Sequence, residues 1–282
     1  MRFAALRTIV VANVLALAAA AGAHGAPQRA AVPVLIYHEI VTDPTRAPGE
    51  TVIALDRFEE QMRHLASEGW RTISIDDLVA ILRNERPAPP KAVVLTFDDG
   101  WKSVLNAVPV LERHRMQASF WIITGAGIGN AYLDWSDIER LAKNPRFEIG
   151  SHTVSHPWDA KDNLVTWLAT PAPGKDRAAV RAELAVSKAT LEAKTGRRID
   201  YLAWPVGWYT EEMVQLARDV GYRALLTAED GGNAPGDSVF HIRRVFVDGA
   251  CDMAAFRRIL VEPTYRPCAG AHATFGHTPP AE

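Results

Sequence analysis

The chain has 282 residues, a formal net charge of −2 and a hydrophobic fraction of 48%. A chain of this length and composition can bury the core of one large domain. It carries no long run of lysine and arginine, which argues against nucleic acid as a partner because phosphate binding needs clustered positive charge. A neutral substrate fits this balance better.

The N-terminus has the form of a secretory signal peptide. Arg2 and Arg7 precede an apolar run over residues 9–23 that ends in small residues. This pattern predicts a signal peptide over 1–23, followed by a short linker over 24–31. The alternative is a membrane anchor, but the run is too short for a hydrocarbon core of about 30 Å. We therefore expect no stable membrane insertion after cleavage. No cysteine follows the run to carry a lipid, so the predicted location is periplasmic or secreted.

From residue 32 onward, apolar runs alternate with segments of helical periodicity. The predicted strands cover residues 32–37, 70–75, 92–97, 118–123, 147–150, 201–204, 224–227 and 241–247. The predicted helices cover residues 55–69, 76–84, 103–115, 136–143, 176–195, 210–221 and 251–261. We expect Pro109 to kink the third helix and Ser136 with Glu139 to form a capping box on the fourth.

Strands and helices that alternate this regularly predict parallel strand pairing with right-handed crossovers. Seven or eight such units predict an α/β fold, a distorted (β/α)7–8 barrel over residues 32–261. A Pro-rich, loosely ordered tail is expected over residues 262–282. The two cysteines, Cys251 and Cys268, either form a disulfide in an oxidising compartment, worth about 3 kcal/mol in the chain-entropy model, or remain free thiols.

Four polar motifs follow the predicted strands directly. They are His38 after the first strand, Asp98-Asp99-Gly100 after strand 92–97, His152 with His156 after strand 147–150, and residues 203–207 after strand 201–204. In a parallel barrel, groups at the carboxyl ends of the strands meet on one face. We therefore expect these side chains to form one site.

The residue types indicate metal-assisted hydrolysis. One aspartate and two histidines are ligands for a divalent metal with an open position, and a second aspartate beside them can act as a base. Taken singly these signals are weak, because an Asp-Asp-Gly sequence often marks only a turn and paired histidines are common on surfaces. Their combination is much more specific.

The chain resembles the polysaccharide deacetylases of the NodB-homology group, carbohydrate esterase family 4. The resemblance lies in Thr-Phe-Asp-Asp-Gly at 96–100 and His-Thr-x-x-His at 152–156, and it extends over nearly all of residues 32–261. It implies that Asp98 is the general base. It also implies that Asp99, His152 and His156 bind one divalent ion, Zn²⁺ or alternatively Co²⁺ or Ni²⁺.

Two departures from the family pattern concern the catalytic acid and the arginine beside the base. No Leu-x-His motif occurs near the C-terminus; Leu35-Ile36-Tyr37-His38 stands at the first strand instead. This is similar to the circularly permuted branch that deacetylates poly-β-1,6-N-acetylglucosamine in biofilm matrix, and it implies that His38 is the acid. The alternative is a structural histidine at a strand end.

The second departure lies at residues 203–207. The usual Arg-x-Pro-Tyr-Gly motif reads Ala-Trp-Pro-Val-Gly here, so the arginine is absent. Arg244 is a candidate substitute, and the Val206 amide can still serve an oxyanion because a backbone donor does not depend on its side chain. Trp204, Pro205 and Trp158 are candidates for the substrate groove, with core packing as the alternative for each tryptophan.

The resemblance predicts a hydrolase that removes N-acetyl groups from an N-acetylglucosamine polysaccharide and releases acetate, with poly-β-1,6-N-acetylglucosamine as the expected polymer. Peptidoglycan, chitin oligomers and O-acetylated polysaccharides are alternative substrates. A non-catalytic polysaccharide-binding module is an alternative of another class, but such a module needs neither a base nor an acid.

Overall fold

The computed structural model describes residues 31–268, apart from residues 44, 47, 50 and 126–129. The predicted signal peptide, residues 24–30 of the predicted linker and residues 269–282 of the predicted tail lie outside the described residues. Among the residues that are described, no helix is both long enough and apolar enough to cross a membrane.

The described chain alternates strands with helices. The strands are β1 (Val34–Tyr37), β2 (Glu39–Val41), β3 (Val52–Ala54), β4 (Arg71–Thr72), β5 (Ala92–Phe97), β6 (Ala118–Ile122), β7 (Phe147–Ser151), β8 (Tyr201–Ala203), β9 (Ala224–Leu226) and β10 (Val245–Phe246). The helices are α1 (Leu55–Ser67), α2 (Ile75–Leu82), α3 (Val108–Arg113), α4 (Trp135–Lys143), α5 (Leu164–Ala169), α6 (Arg177–Thr195), α7 (Glu211–Val220) and α8 (Met253–Val261). Short 3-10 helices cover Lys102–Asn106 and Pro205–Gly207.

The main sheet is parallel, with the strand order β10-β1-β5-β6-β7-β8-β9 and β4 beside the start of β5. The chain that leads into β10 bonds to the opposite edge: the Thr227 amide after β9 donates to the Ile242 carbonyl at 2.9 Å. Val245 and Phe246 then pair with β1. Residues 242–246 thus form a seam between the two edges of the sheet, and the predicted parallel barrel architecture is confirmed.

The side chains of β5 show how this sheet divides the core. Val93, Leu95 and Phe97 belong to the larger cluster, with residues of α1, α3, α4, α6, α7 and α8. Val94 points to the other face, where it belongs to a smaller cluster with Trp121, Ala203 and residues of α2. Because side chains alternate along a strand, Thr96 and Asp98 fall on the same face as Val94. The smaller, inner face therefore leads to the carboxyl end of β5.

A glycine is required on this inner face. Gly150 of β7 pairs with Trp121 of β6, and a Cβ atom at residue 150 would lie 1.9 Å from the Trp121 ring. Only glycine leaves space for the indole at this point of the sheet.

Several predicted elements differ in detail from the structure. The predicted helix 103–115 is a 3-10 helix followed by α3, and Pro109 lies in the first turn of α3, where a missing N–H is tolerated, so it does not kink the helix. Helix α4 is capped by Asp134 and Asp137, not by the predicted Ser136 and Glu139. The predicted strand 241–247 is reduced to β10, since the residues before it form the seam.

The C-terminal part of the chain is held by a disulfide. Cys251 and Cys268 are bonded, with their Cα atoms 5.4 Å apart, which resolves the alternative left open by the sequence. The Tyr265 amide donates to Asp230 and its hydroxyl to Asp248, each at 3.0 Å. Residues 262–268, the described part of the predicted tail, therefore pack against the loops after β9 and β10.

A carboxylate in the sheet predicts a measurable pH dependence of stability. Glu148 of β7 accepts hydrogen bonds from the Ile75 and Asp76 amides and the Ser119 hydroxyl, yet burial outweighs these bonds and raises its pKa. The folded protein therefore keeps this proton to a higher pH than the unfolded chain does. The stability contributed by this group is present at acidic pH and is lost as the pH rises through its folded pKa.

We expect the Glu148→Gln variant, which cannot ionise, to gain stability relative to wild type as the pH is raised from acidic to neutral. Urea unfolding of both proteins across this range measures the difference. A difference in unfolding free energy that does not change with pH would contradict the prediction.

Candidate active site

The polar motifs meet at the carboxyl edge of the sheet. Tyr37 of β1 pairs with Phe97 of β5, and the Asp98 amide donates to the Tyr37 carbonyl at 2.8 Å. His38 and Asp98 therefore follow neighbouring strands at the same level. His152 follows β7, two strands further along the sheet.

Asp99, His152 and His156 form a compact donor set, with one ligand atom of each within 4.8 Å of the others. Asp99 Oδ1 lies 3.3 Å from His152 Nε2 and 3.5 Å from His156 Nε2. His152 Nδ1 lies 2.8 Å from the Ala203 carbonyl. Because a carbonyl only accepts, Nδ1 must carry the proton, which leaves the Nε2 lone pair of the neutral ring directed to the cluster.

The electrostatics of this cluster suit a divalent cation. Burial alone would raise the pKa of Asp99, but its interactions with His152, His38 and His156 hold that pKa far below its usual range. Burial and repulsion by His152 lower the pKa of His156 to about 4. Burial lowers the pKa of His152, but the two carboxylates outweigh it, so the pKa is raised. The carboxylates therefore favour a positive charge at this place. Two imidazoles and one carboxylate fit Zn²⁺, Co²⁺ or Ni²⁺.

The backbone of the site is strained. Asp99, Thr153, His156 and Val206 all have left-handed φ angles, between +48° and +70°. Such a conformation costs about 1–2 kcal/mol for a residue with a Cβ atom, and it occurs preferentially at functional sites.

Glu183 of α6 holds the turn between the two histidines. Its carboxylate accepts from the Val154 and Ser155 amides, each at 2.8 Å, and from the Ser155 hydroxyl at 2.7 Å. Glu183 was not predicted as a site residue, because it lies on the helical stretch 176–195 with no local sign of this contact. It fixes the separation of His152 and His156.

Asp98 is paired with Arg244. The two guanidinium nitrogens lie 2.8 and 2.9 Å from the two carboxylate oxygens, and Arg244 Nε donates to the Thr227 carbonyl at 2.6 Å. Arg244 is 1% exposed and Asp98 4% exposed. Burial would raise the pKa of Asp98, but Arg244 and His152 outweigh it and lower that pKa. The structure thus brings the candidate substitute Arg244 into contact with the aspartate.

His38 lies close to both aspartates, and its electrostatic interaction with each contributes to the lowered pKa of Asp98 and of Asp99. Its ring is nearly parallel to that of Phe246, with centroids 5.9 Å apart. Phe246 in turn contacts the ring of Tyr265. Nδ1 of His38 is buried and has no hydrogen-bond partner among the described residues. The ring is therefore oriented by packing.

The candidate groove residues are divided by the structure. Trp204 is fully buried and packs against Tyr209, and Pro205 is buried as well, so neither side chain lines an open groove. This corrects the expectation for both residues: the apolar end of β8 continues into the core. Val206 is partly exposed, and Trp158 is 65% exposed on the loop after His156.

An aromatic pair beside Asp99 was not predicted. Trp101 Nε1 donates to Asp99 Oδ2 at 2.9 Å, and its ring stacks on Tyr132 with centroids 4.4 Å apart. The available signal was the position of Trp101, directly after Asp-Asp-Gly. Tyr132 is 33 residues away from Asp99 in the numbering and gave no local signal.

Comparison with known proteins finds relatives of this chain. The chain is 27% identical over 229 residues to YxkH of Bacillus subtilis strain 168, a protein with the name of a polysaccharide deacetylase; the match covers 80% of this chain and 75% of YxkH. It is 25% identical over 206 residues to the poly-beta-1,6-N-acetyl-D-glucosamine N-deacetylase of Escherichia coli K12. That match covers 62% of this chain but only 30% of the E. coli protein.

Two solved structures are similar over most of the chain. IcaB from Ammonifex degensii has a TM-score of 0.69 at 25% identity, covering 82% of this chain and 95% of IcaB. The Streptococcus pyogenes deacetylase PplD, solved in complex with acetate, has a TM-score of 0.70 at 23% identity, covering 84% of this chain and all of PplD.

The family model for polysaccharide deacetylases matches residues 85–225, half of the chain, including both Asp-Asp-Gly and the histidine pair. The chain therefore belongs to the polysaccharide deacetylase family, carbohydrate esterase family 4, whose members are hydrolases that act on amide bonds.

Proposed function

We propose that the chain is a metal-dependent N-deacetylase of poly-β-1,6-N-acetylglucosamine that acts in the periplasm or outside the cell. The observation that carries this proposal is the different environment of two adjacent carboxylates. Asp98 is paired with Arg244, whereas Asp99 faces two imidazoles. Such an arrangement separates a base from a metal ligand.

Asp99, His152 and His156 would hold the metal ion, which when bound supplies a Lewis acid and lowers the pKa of water. Asp98 takes the proton from the attacking water. Arg244 keeps this carboxylate ionised and holds both of its oxygens in position, because a bidentate pair is fixed in orientation. Asp98 therefore accepts the proton as a carboxylate whose rotation is restricted by Arg244.

His38 acts as the acid. An amide nitrogen leaves readily only when it is protonated, and a histidine beside the base can deliver that proton to the departing sugar amine. The stacking of His38 on Phe246 fixes the plane of the imidazole ring that donates this proton. The Val206 amide is the proposed backbone donor to the oxyanion.

Two observations support the choice of polymer. The E. coli relative is named for poly-β-1,6-N-acetylglucosamine, and His38 at the end of β1 takes the position that the resemblance to this branch implies. A β-1,6 linkage has one more rotatable bond than a β-1,4 linkage. Trp158, two residues after His156, is exposed, and such a ring can bind a flexible chain because aromatic rings stack on sugar faces.

We expect metal-loaded protein to release acetate from β-1,6-linked N-acetylglucosamine oligomers, with a rate that increases with oligomer length. β-1,4-linked oligomers of equal length should react more slowly. Acetate is measured for both series, for peptidoglycan and for an O-acetylated polysaccharide, and the Asp98→Asn variant prepared in parallel reports any contaminating activity. Equal or faster release from another substrate would overturn the polymer assignment but not deacetylation. No release from any of them would contradict the activity.

A further inference from the structure

The two oxygens of Asp99 have different neighbours. Oδ1 faces Nε2 of both His152 and His156, at 3.3 and 3.5 Å. Oδ2 accepts the hydrogen bond from Trp101 Nε1 at 2.9 Å. An indole N–H only donates, so Oδ2 acts as the acceptor for Trp101 while Oδ1 is the oxygen that faces the two histidines.

Trp101 is itself held rigidly. The Lys102 amide donates to the Ala131 carbonyl and the Leu133 amide to the Gly100 carbonyl, each at 2.8 Å. Trp101 and Tyr132 form an antiparallel bridge in the same place, and their rings stack at an interplanar angle of 21°. The chain after β6 thus clamps the turn that carries Asp99, and this turn includes the strained φ of +70° at Asp99.

From this geometry we infer that Trp101 is a positioning residue for the metal site, which limits Asp99 to one ligand oxygen, and that Tyr132 supports it by stacking. This inference rests on the metal site of the proposed function. A hydrogen bond to a ligating carboxylate fixes its orientation, and loss of such a partner typically weakens metal binding 10–100-fold. With Oδ2 released, Asp99 could offer both oxygens and the coordination of the ion would change.

The test is the Trp101→Phe variant, which keeps an aromatic ring for the stack but removes the N–H. The matched control is Trp70→Phe, the same change just before β4, at the opposite end of the sheet. Binding of Co²⁺ is measured by competition with a chromophoric chelator, and the visible absorption of bound Co²⁺ reports its coordination. We expect Trp101→Phe to bind Co²⁺ about 10–100-fold more weakly than wild type, with an altered spectrum. Trp70→Phe should match wild type in both measurements.

Equal affinity and equal spectra for Trp101→Phe and wild type would overturn this role. If Trp101→Phe does not fold, NMR of the wild-type indole N–H groups decides: the Trp101 signal should exchange slowly with solvent before and after Zn²⁺ is added. Loss of that protection on adding Zn²⁺ would also overturn it. These measurements need no polysaccharide, so they are independent of whether acetate is released.

Discussion

Removal of metal with a chelator should abolish acetate release, and Zn²⁺, Co²⁺ or Ni²⁺ added back should restore it. Asp99, His152 and His156 present two nitrogens and one oxygen to a common centre, and the lowered pKa of Asp99 and of His156 keeps these two groups in the ligating form at neutral pH. An ion bound only by the folded protein also stabilises it, by about 2.7 kcal/mol at a free concentration near 100 times its Kd. The melting temperature should therefore fall on chelation.

The variant that tests the site directly is His156→Ala, with His114→Ala as its control. His114 lies just after α3, before β6 begins and thus at the other end of the sheet. We expect His156→Ala to lose metal, activity and the thermal shift together, and His114→Ala to keep all three. Full activity in a protein shown by elemental analysis to be metal-free would end the proposal of a metal enzyme.

Asp98→Asn should reduce turnover about 10²–10⁴-fold while the protein still binds metal. Asp98 contacts Arg244 with both oxygens, so it is placed as a base and not as a ligand. The same change leaves a buried guanidinium without its ionic partner, which destabilises the fold. Turnover must therefore be compared at a temperature where circular dichroism shows that both proteins are folded.

His38→Ala tests the other half of the proton transfer and should reduce turnover to a similar extent, again with metal retained. Wild-type turnover in His38→Ala would favour the structural alternative for this histidine. His241 does not offer an obvious replacement, because its ring nitrogens bond to Ser238 and to Glu211 at the start of α7.

The parts of the site that could be predicted are those written in consecutive residues. An apolar run followed by Asp98-Asp99 places both carboxylates at a strand end. His152 directly follows β7, and His156 is only four residues further along the chain. The contact between Asp98 and Arg244 joins residues 146 apart in the chain, so only the weak argument of a missing arginine pointed to it. Glu183 and Tyr132 gave no signal, because their roles depend on how α6 and the chain after β6 pack.

The same distinction applies to the fold. Strands β1, β5, β6, β8 and β9 lie within the predicted strands, and β7 extends one residue past its predicted end, because long apolar runs mark strands buried on both faces. Strands β2 and β3 were not predicted. Each has only three residues, and they are strands because they pair with one another, a contact that the local sequence does not indicate. Trp204 follows the alternative of core packing, because proximity to a motif in the chain does not determine which face of the sheet a side chain takes.

The position of Arg244 in the seam has a consequence for the order in which the molecule becomes active. The seam joins residues from the two ends of the domain, and contacts of such long sequence separation are entropically expensive to form early in folding. Arg244 is carried by that seam, directly before β10. An intermediate with β5 to β9 already assembled would therefore contain the metal ligands but not the partner of Asp98. We expect the ability to bind an ion to appear during refolding before the ability to cleave an amide.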